Sequence, residues 1–257
     1  MTDPENTTRA IELEIEVAGT PEEVWAAIAT GPGITAWFVP TTVEGRSGGA
    51  IEQSFGPGEE MLVRGHVHAW EPPRRFAYGE HPEPIAGGMA FEFLVEARRE
   101  GTCVVRLVNS GFGHGQEWDD QYDATEQGWR LFLHILSLHL ARFGGRPAQK
   151  VQAMAMLPAP DGPDAVWSTL LGSFVLDGDR LVAADDAPAP LAADITLRGD
   201  RALVFVVDHP APGTGLLAAE GGGEALAVSL WLSLYGEEAA AIVARDAPRW
   251  QAWAESL

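Results

Sequence analysis

Over residues 11–18 the chain alternates Ile11, Leu13, Ile15 and Val17 with Glu12, Glu14 and Glu16, the period-two signature of a strand with one wet face. Thr20, Pro21 and Glu23 then supply an N-cap, a first-turn proline and a capping-box acid. Val24, Trp25 and Ile28 form the apolar stripe of the helix that follows. Gly31, Pro32 and Gly33 interrupt it, and residues 34–38 read as one further helical turn. Strand-like runs follow at 50–55, 61–70, 75–78, 89–96 and 102–109. Their Gly-, Pro- and Glu-rich separators predict hairpins in a curved antiparallel sheet. Helical spacing returns over residues 118–143 through Tyr122, Trp129, Leu133, Leu136 and Leu140.

The order then repeats. Gly144, Gly145 and Pro147 mark a boundary, a strand is expected at 151–157, and a helix after Pro163 carries Val166, Trp167, Leu170 and Leu171. Strands are expected at 180–183, 192–197, 202–208 and 224–234, with a final helix from about residue 236 bearing Trp250 and Trp253. Pro188, Pro190, Pro210 and Pro212 mark loops, and Gly221-Gly222-Gly223 a turn between strands. This is a duplicated α+β module: residues 1–147 complete, residues 148–257 abbreviated, with strands lost or shortened in the second copy.

Charge and composition narrow the partners. The chain of 257 residues carries a formal charge of −20, spread over both halves: 22 acidic against 10 basic residues before Arg146, and 15 against 7 from there on. Arg74-Arg75 and Arg98-Arg99 are isolated basic pairs, so no nucleic acid partner is expected. No apolar run is long enough to span a bilayer, and the polar start MTDPENTTRA lacks a secretory layout; no membrane insertion and a cytoplasmic location are the expectations. The single cysteine, Cys103, fits a reducing compartment and reads as a buried structural thiol.

Three stretches carry a family resemblance: IEVAGTPEEVWAAIATGPGITAWF at 15–38, RGHVHAWEPPRRFAYG at 64–79, and the helix at 118–143 with Gly128 and Trp129. The most specific is the Glu71-Pro72-Pro73 turn between two strands. Over residues 9–145 the chain resembles the START-like, or Bet v 1-like (SRPBCC), superfamily, and more narrowly bacterial proteins related to the C-terminal domain of the activator of Hsp90 ATPase. The resemblance implies a helix-grip fold, a curved antiparallel sheet around a long C-terminal helix, with space between them for a small apolar ligand. Such a fold does not by itself fix the chemistry.

Candidate site residues follow from the side chains near that sheet–helix interface. Trp37, Phe38, Trp70, Phe91, Phe93, Trp118, Tyr122, Trp129 and Phe132 offer aromatic surface; Phe91 and Phe93 share a strand face, and Trp118, Tyr122 and Trp129 a helical stripe. These rings line a pocket or simply fill a core. His66 and His68, expected on one strand face with Arg64, are a solvated pair or ligand hydrogen-bonders. A third and fourth metal ligand is not evident, though His114, Glu117, Asp119 or Asp120 would converge if the loop folded over the strand. Arg106 makes a structural ion pair or is exposed or, if inward, would anchor an acidic ligand group. No metal and no cofactor is expected, and the hydrolase-elbow, P-loop, dinucleotide and zinc-helix motifs are absent. The leading expectation is non-enzymatic binding of a small apolar or amphipathic molecule. The alternatives are a protein partner in the manner of an Hsp90 co-chaperone, and a cyclase-like or hydrolytic enzyme. In the enzyme His66 or His114 would move a proton while Arg106 or Tyr122 stabilised an oxyanion.

Overall fold

The alternating segment at the start forms β1 (Arg9–Ala18), and the capping box that closes it is complete: Glu23 N–H donates to Thr20 Oγ1, and Thr20 N–H to Glu23 Oε2 at 2.8 Å. The computed structural model describes residues 8–56, 58–81, 85–221 and 224–257. Most of the polar N-terminal segment, Pro82, and Gly222 and Gly223 of the glycine turn lie outside the described residues. The chain divides into two compact units, Met1–Gly145 and Arg146–Leu257.

In the first unit β1 leads to α1 (Pro21–Ala29) and α2 (Gly31–Trp37). Then come β2 (Thr41–Val43), β3 (Ala50–Ser54), β4 (Leu62–Glu71), β5 (Arg75–Gly79), β6 (Ala90–Ala97), β7 (Thr102–Phe112) and α3 (Gln116–Phe143). The sheet order is β1-β7-β6-β5-β4-β3-β2, every pair antiparallel. Because opposed residues share a face, the register lays out inward rows across five strands. One row runs Leu13, Leu107, Phe93, Phe76, Trp70; the next runs Ile11, Asn109, Phe91, Tyr78, Val67. The long helix α3 buries Trp129, Leu131, Leu133, Ile135, Leu136, His139 and Phe143. This is a helix-grip arrangement of α+β class.

The opposite face of the sheet is laced with ion pairs. Arg64 pairs with Glu52 and Glu59, Arg75 with Glu92 and Glu71, and Arg106 with Glu12. All are partly exposed, so each contributes little stability by itself.

The second unit comprises β8 (Gln149–Pro158), α4 (Pro163–Leu171), β9 (Phe174–Asp177), β10 (Arg180–Ala183), β11 (Ala192–Arg198), β12 (Ala202–His209), β13 (Gly213–Glu220), β14 (Ala225–Leu234) and α5 (Ala239–Ser256). Its sheet order, β8-β14-β13-β12-β11-β10-β9, repeats that of the first unit strand for strand, as an internal duplication requires. The expectation of lost strands is corrected: both sheets have seven. Shortening is seen in β11, with 7 residues where β4 has 10, and in the helices. One nine-residue helix stands where the first unit has two, and α5 has 18 residues against 28 in α3. Tight connections, such as the Gly178-Asp179 turn between β9 and β10, keep the strand count while saving residues. Gln251 on α5 takes both backbone groups of Met154, at 2.9 and 3.0 Å, and so covers part of the edge of β8.

Candidate functional site

Six of the candidate residues come together between the inward face of the first sheet and α3. Trp129 is buried at the centre. Its ring centroid lies 5.2 Å from Phe38, 5.8 Å from Phe91 and 6.3 Å from Phe93 and from Phe132. Trp37 closes the group, stacked on Phe38 at 5.6 Å and edge-on to Phe93 at 6.3 Å. Its Nε1–H donates to the Ala27 carbonyl at 3.0 Å, which ties α2 to α1. Trp70 belongs to a separate cluster with Trp25 and Phe76.

The helical stripe drawn through Trp118, Tyr122 and Trp129 is right in angle and spread in depth. Seven residues advance a helix by roughly 10 Å and eleven by roughly 16 Å, so the first two side chains fall near the opening turns. Trp118 packs over Gly113, where an added Cβ would come 2.5 Å from the indole nitrogen. Tyr122 donates to the Ala10 carbonyl at 3.1 Å, meets Phe112 edge-on, and lies under the Arg9 guanidinium. Arg9 in turn reaches Asp119 at 2.6 Å. These residues fasten the start of α3 to β1; their ring contacts are not with the Trp129 group.

His66, His68 and Arg106 stand apart from it as well. Arg106 alternates with the buried Val105 and Leu107, so it faces outward, where the Glu12 carboxylate beside it holds its guanidinium above the usual arginine range. Of the two readings of Arg106, the structure has the ion pair and not the inward anchor. His66 is exposed. A register shift between Val67 and Ala69 places a bulge at His68, whose Nε2 lies 3.1 Å from the Gly79 carbonyl. The bulge separates two imidazoles that strict alternation would have set side by side. His114 is exposed between β7 and α3. Among the described residues no three His, Cys, Asp or Glu side chains converge as a metal site would need.

Three polar side chains that the sequence reading passed over do face the interior. Asn109 is fully buried: its Oδ1 accepts from Trp129 Nε1 at 2.9 Å, and its Nδ2 donates to the Ala90 carbonyl at 3.3 Å. Tyr78 stacks on Phe91 at 5.0 Å; burial pushes its phenol up, and the nearby Gln53 amide offsets part of that rise. Gln53 on β3 is itself only 3% exposed. Parity within a strand was the available signal: Asn109 shares it with Cys103, Val105 and Leu107.

Two inward positions of this sheet reach solvent. Phe91 is inward by register yet only half-buried, and Val63, opposite Gln53, is 43% exposed. In the second unit a shallow cavity of about 220 Å³ lies among Leu157, Asp161, Val166, Thr169 and Leu257, away from any cluster of titratable groups.

Cys103 is fully buried, its Sγ 3.4 Å from the Gly19 carbonyl. Burial, and after it the charges of Glu22 and Glu23, push its thiol above the usual range, which disfavours the reactive thiolate. A disulfide reagent such as Ellman's is expected to label Cys103 only as the first unit unfolds. Rapid stoichiometric labelling of the folded chain would contradict its structural role.

Comparison with known proteins adds a family and several folds. The family model described as activator of Hsp90 ATPase homolog 1-like protein matches residues 18–141. No curated protein matches the chain. Among solved structures, the di-domain ARO/CYC BexL from the BE-7585A biosynthetic pathway is 17% identical, with a TM-score of 0.46, over 96% of this chain and 99% of its own. DynU16 from the dynemicin biosynthetic locus is 17% identical at a TM-score of 0.44, over 95% of each chain. The solution structure of the Aha1 dimer from Colwellia psychrerythraea is 22% identical at 0.41, over 51% of this chain and 96% of its own. No helix among the described residues is long and apolar enough to cross a membrane.

Proposed function

We propose that the first unit, whose residues 18–141 match the activator of Hsp90 ATPase homolog 1-like family within a superfamily whose fold serves small-molecule or protein binding, binds a small apolar or amphipathic molecule without transforming it. The site is the inward face of the sheet around Phe38, Phe91, Phe93 and Trp129, entered where Phe91 and Val63 meet solvent. The carrying observation is an inward aromatic face that reaches solvent at Phe91: rings beside a few buried polar groups, the usual composition of a small-molecule site. An acid–base mechanism finds less support. Of the groups it would use, His66 and His114 are exposed, Arg106 is paired with Glu12 on the outward face, and Tyr122 is bonded to the Ala10 carbonyl.

Native mass spectrometry of freshly purified protein is expected to show a reproducible apolar adduct, recoverable by solvent extraction. Perturbed Phe91 and Trp129 resonances should accompany rebinding of the extract. No adduct, together with no perturbation by a broad panel of apolar compounds, would overturn the proposal.

A further inference from the structure

Resting on that reading of the site, we infer that its ligand presents a neutral hydrogen-bond acceptor, a ketone-like carbonyl on an apolar body, and that the side-chain amide of Gln53 receives it. The inward row of β3 contains Ile51 and Gln53, and both are buried. A Leu or Met would satisfy an apolar position there; instead the position holds an amide whose Nε2 finds no partner among the described residues. An unmet amide donor in the interior costs the free energy of its desolvation, so a residue chosen for packing alone would not be glutamine.

The surroundings point the amide toward a ligand. Between β3 and β5, the inward residue of β4 opposite Ile51 is Gly65, and it puts no side chain between Gln53 and Tyr78. A Cβ at Gly65 would come 2.7 Å from the Gly79 carbonyl, so the backbone of β5 admits no side chain there. On the far side of β4 lies Tyr78, whose phenol feels the Gln53 amide, and Phe91, stacked on Tyr78, leads to Trp129. Val63, opposite Gln53 in register and exposed, marks the way in.

The acceptor is neutral because no cation faces it from these strands. Arg64, Arg75 and Arg106 lie on the other face of the sheet, each paired with glutamate. A carboxylate seated at Gln53 would be buried without a counter-charge, which is far costlier than burying a ketone.

Two probes of matched shape separate the amide from the apolar surface: 2-acetylnaphthalene, which carries the acceptor, and 2-isopropylnaphthalene, which does not. Each is titrated into the full chain and into Gln53→Met, with affinity read from tryptophan fluorescence and the Gln53 side-chain amide followed by NMR. The substitution is expected to weaken the ketone about tenfold and the hydrocarbon less than twofold, the loss of one buried hydrogen bond. The Gln53 amide resonance should shift with the ketone alone. The Met variant should melt no lower than the parent, because it removes an unmet donor. Gln53→Glu, which keeps size and replaces the donors with acceptors, should also lose the response to the ketone, and it serves if the Met variant does not fold. If both probes weaken by the same factor, or bind with an unmoved Gln53 amide, the amide serves water only: the inference falls and the binding site stands. If neither probe moves any interior resonance, both fall.

Discussion

Truncating Trp129 to alanine is expected to destabilise the first unit by about 3–5 kcal/mol, the usual cost of removing a large buried aromatic side chain. The ring is the hub of the interior, in contact with Phe38, Phe91, Phe93 and Phe132, and no neighbour is placed to fill its volume without moving a strand or α3. Its indole N–H also satisfies the buried Asn109 Oδ1 at 2.9 Å. Trp129→Phe tests that second part, keeping a ring while leaving the amide oxygen unmet, for about 1–3 kcal/mol. Adding Asn109→Leu should recover part of that loss, because both halves of the polar pair are then gone. Urea unfolding followed by NMR signals of the first unit measures all three variants. A loss below about 1 kcal/mol for the alanine variant would mean that the interior is loosely filled. The helix-grip packing described here would then be wrong at its centre.

Much of this centre was legible from spacing. Strict alternation put Phe91 and Phe93 on one face, and the structure keeps them there. The same parity, applied to residues 103–109, places Arg106 outward and Asn109 inward; the sequence reading weighed Arg106 for its charge and passed over Asn109. A charged side chain draws attention that its strand position does not support, while a buried amide looks ordinary until its partner, 20 residues on in α3, is in view. Other features had no local signal. The bulge at His68 shifts the phase of β4 with no glycine or proline at the bulge itself. The stripe of Trp118, Tyr122 and Trp129 gives a direction around the helix and no depth along it. Gln53 sits in a strand read correctly as a strand, yet its partner Tyr78 is two strands away in the sheet, a relation fixed by tertiary pairing alone.

The second unit shows the same limit at the level of whole elements. β13, with the sequence GTGLLAAE, has few β-branched residues and went unseen, because a strand hydrogen-bonded on both sides and buried on both faces needs small apolar side chains more than intrinsic propensity. The short β2 and β9 were missed for a different reason: three or four residues hold too little period to read.

That glycine-rich strand carries the other large effect. Gly215 lies directly opposite Phe205 in the β12–β13 pair, and the phenyl ring covers it so closely that an added Cβ would come 2.1 Å from a ring carbon. Phe205 has no exposed surface. Phe205→Ala is therefore expected to cost the second unit about 3–5 kcal/mol. Gly215→Ala, which forces the ring off its seat, should cost about 1–3 kcal/mol despite the lower chain entropy of alanine in the unfolded state. The two changes touch one contact, so they should not add. In the double variant the alanine at 215 no longer meets a ring and fills part of the space that the ring leaves. A double-mutant cycle by urea unfolding, followed by signals from the second unit, should give a coupling of at least about 1 kcal/mol in the compensating direction. Additivity within about 0.5 kcal/mol would show that the ring does not rest on Gly215, and that the glycine is there for some other demand of β13.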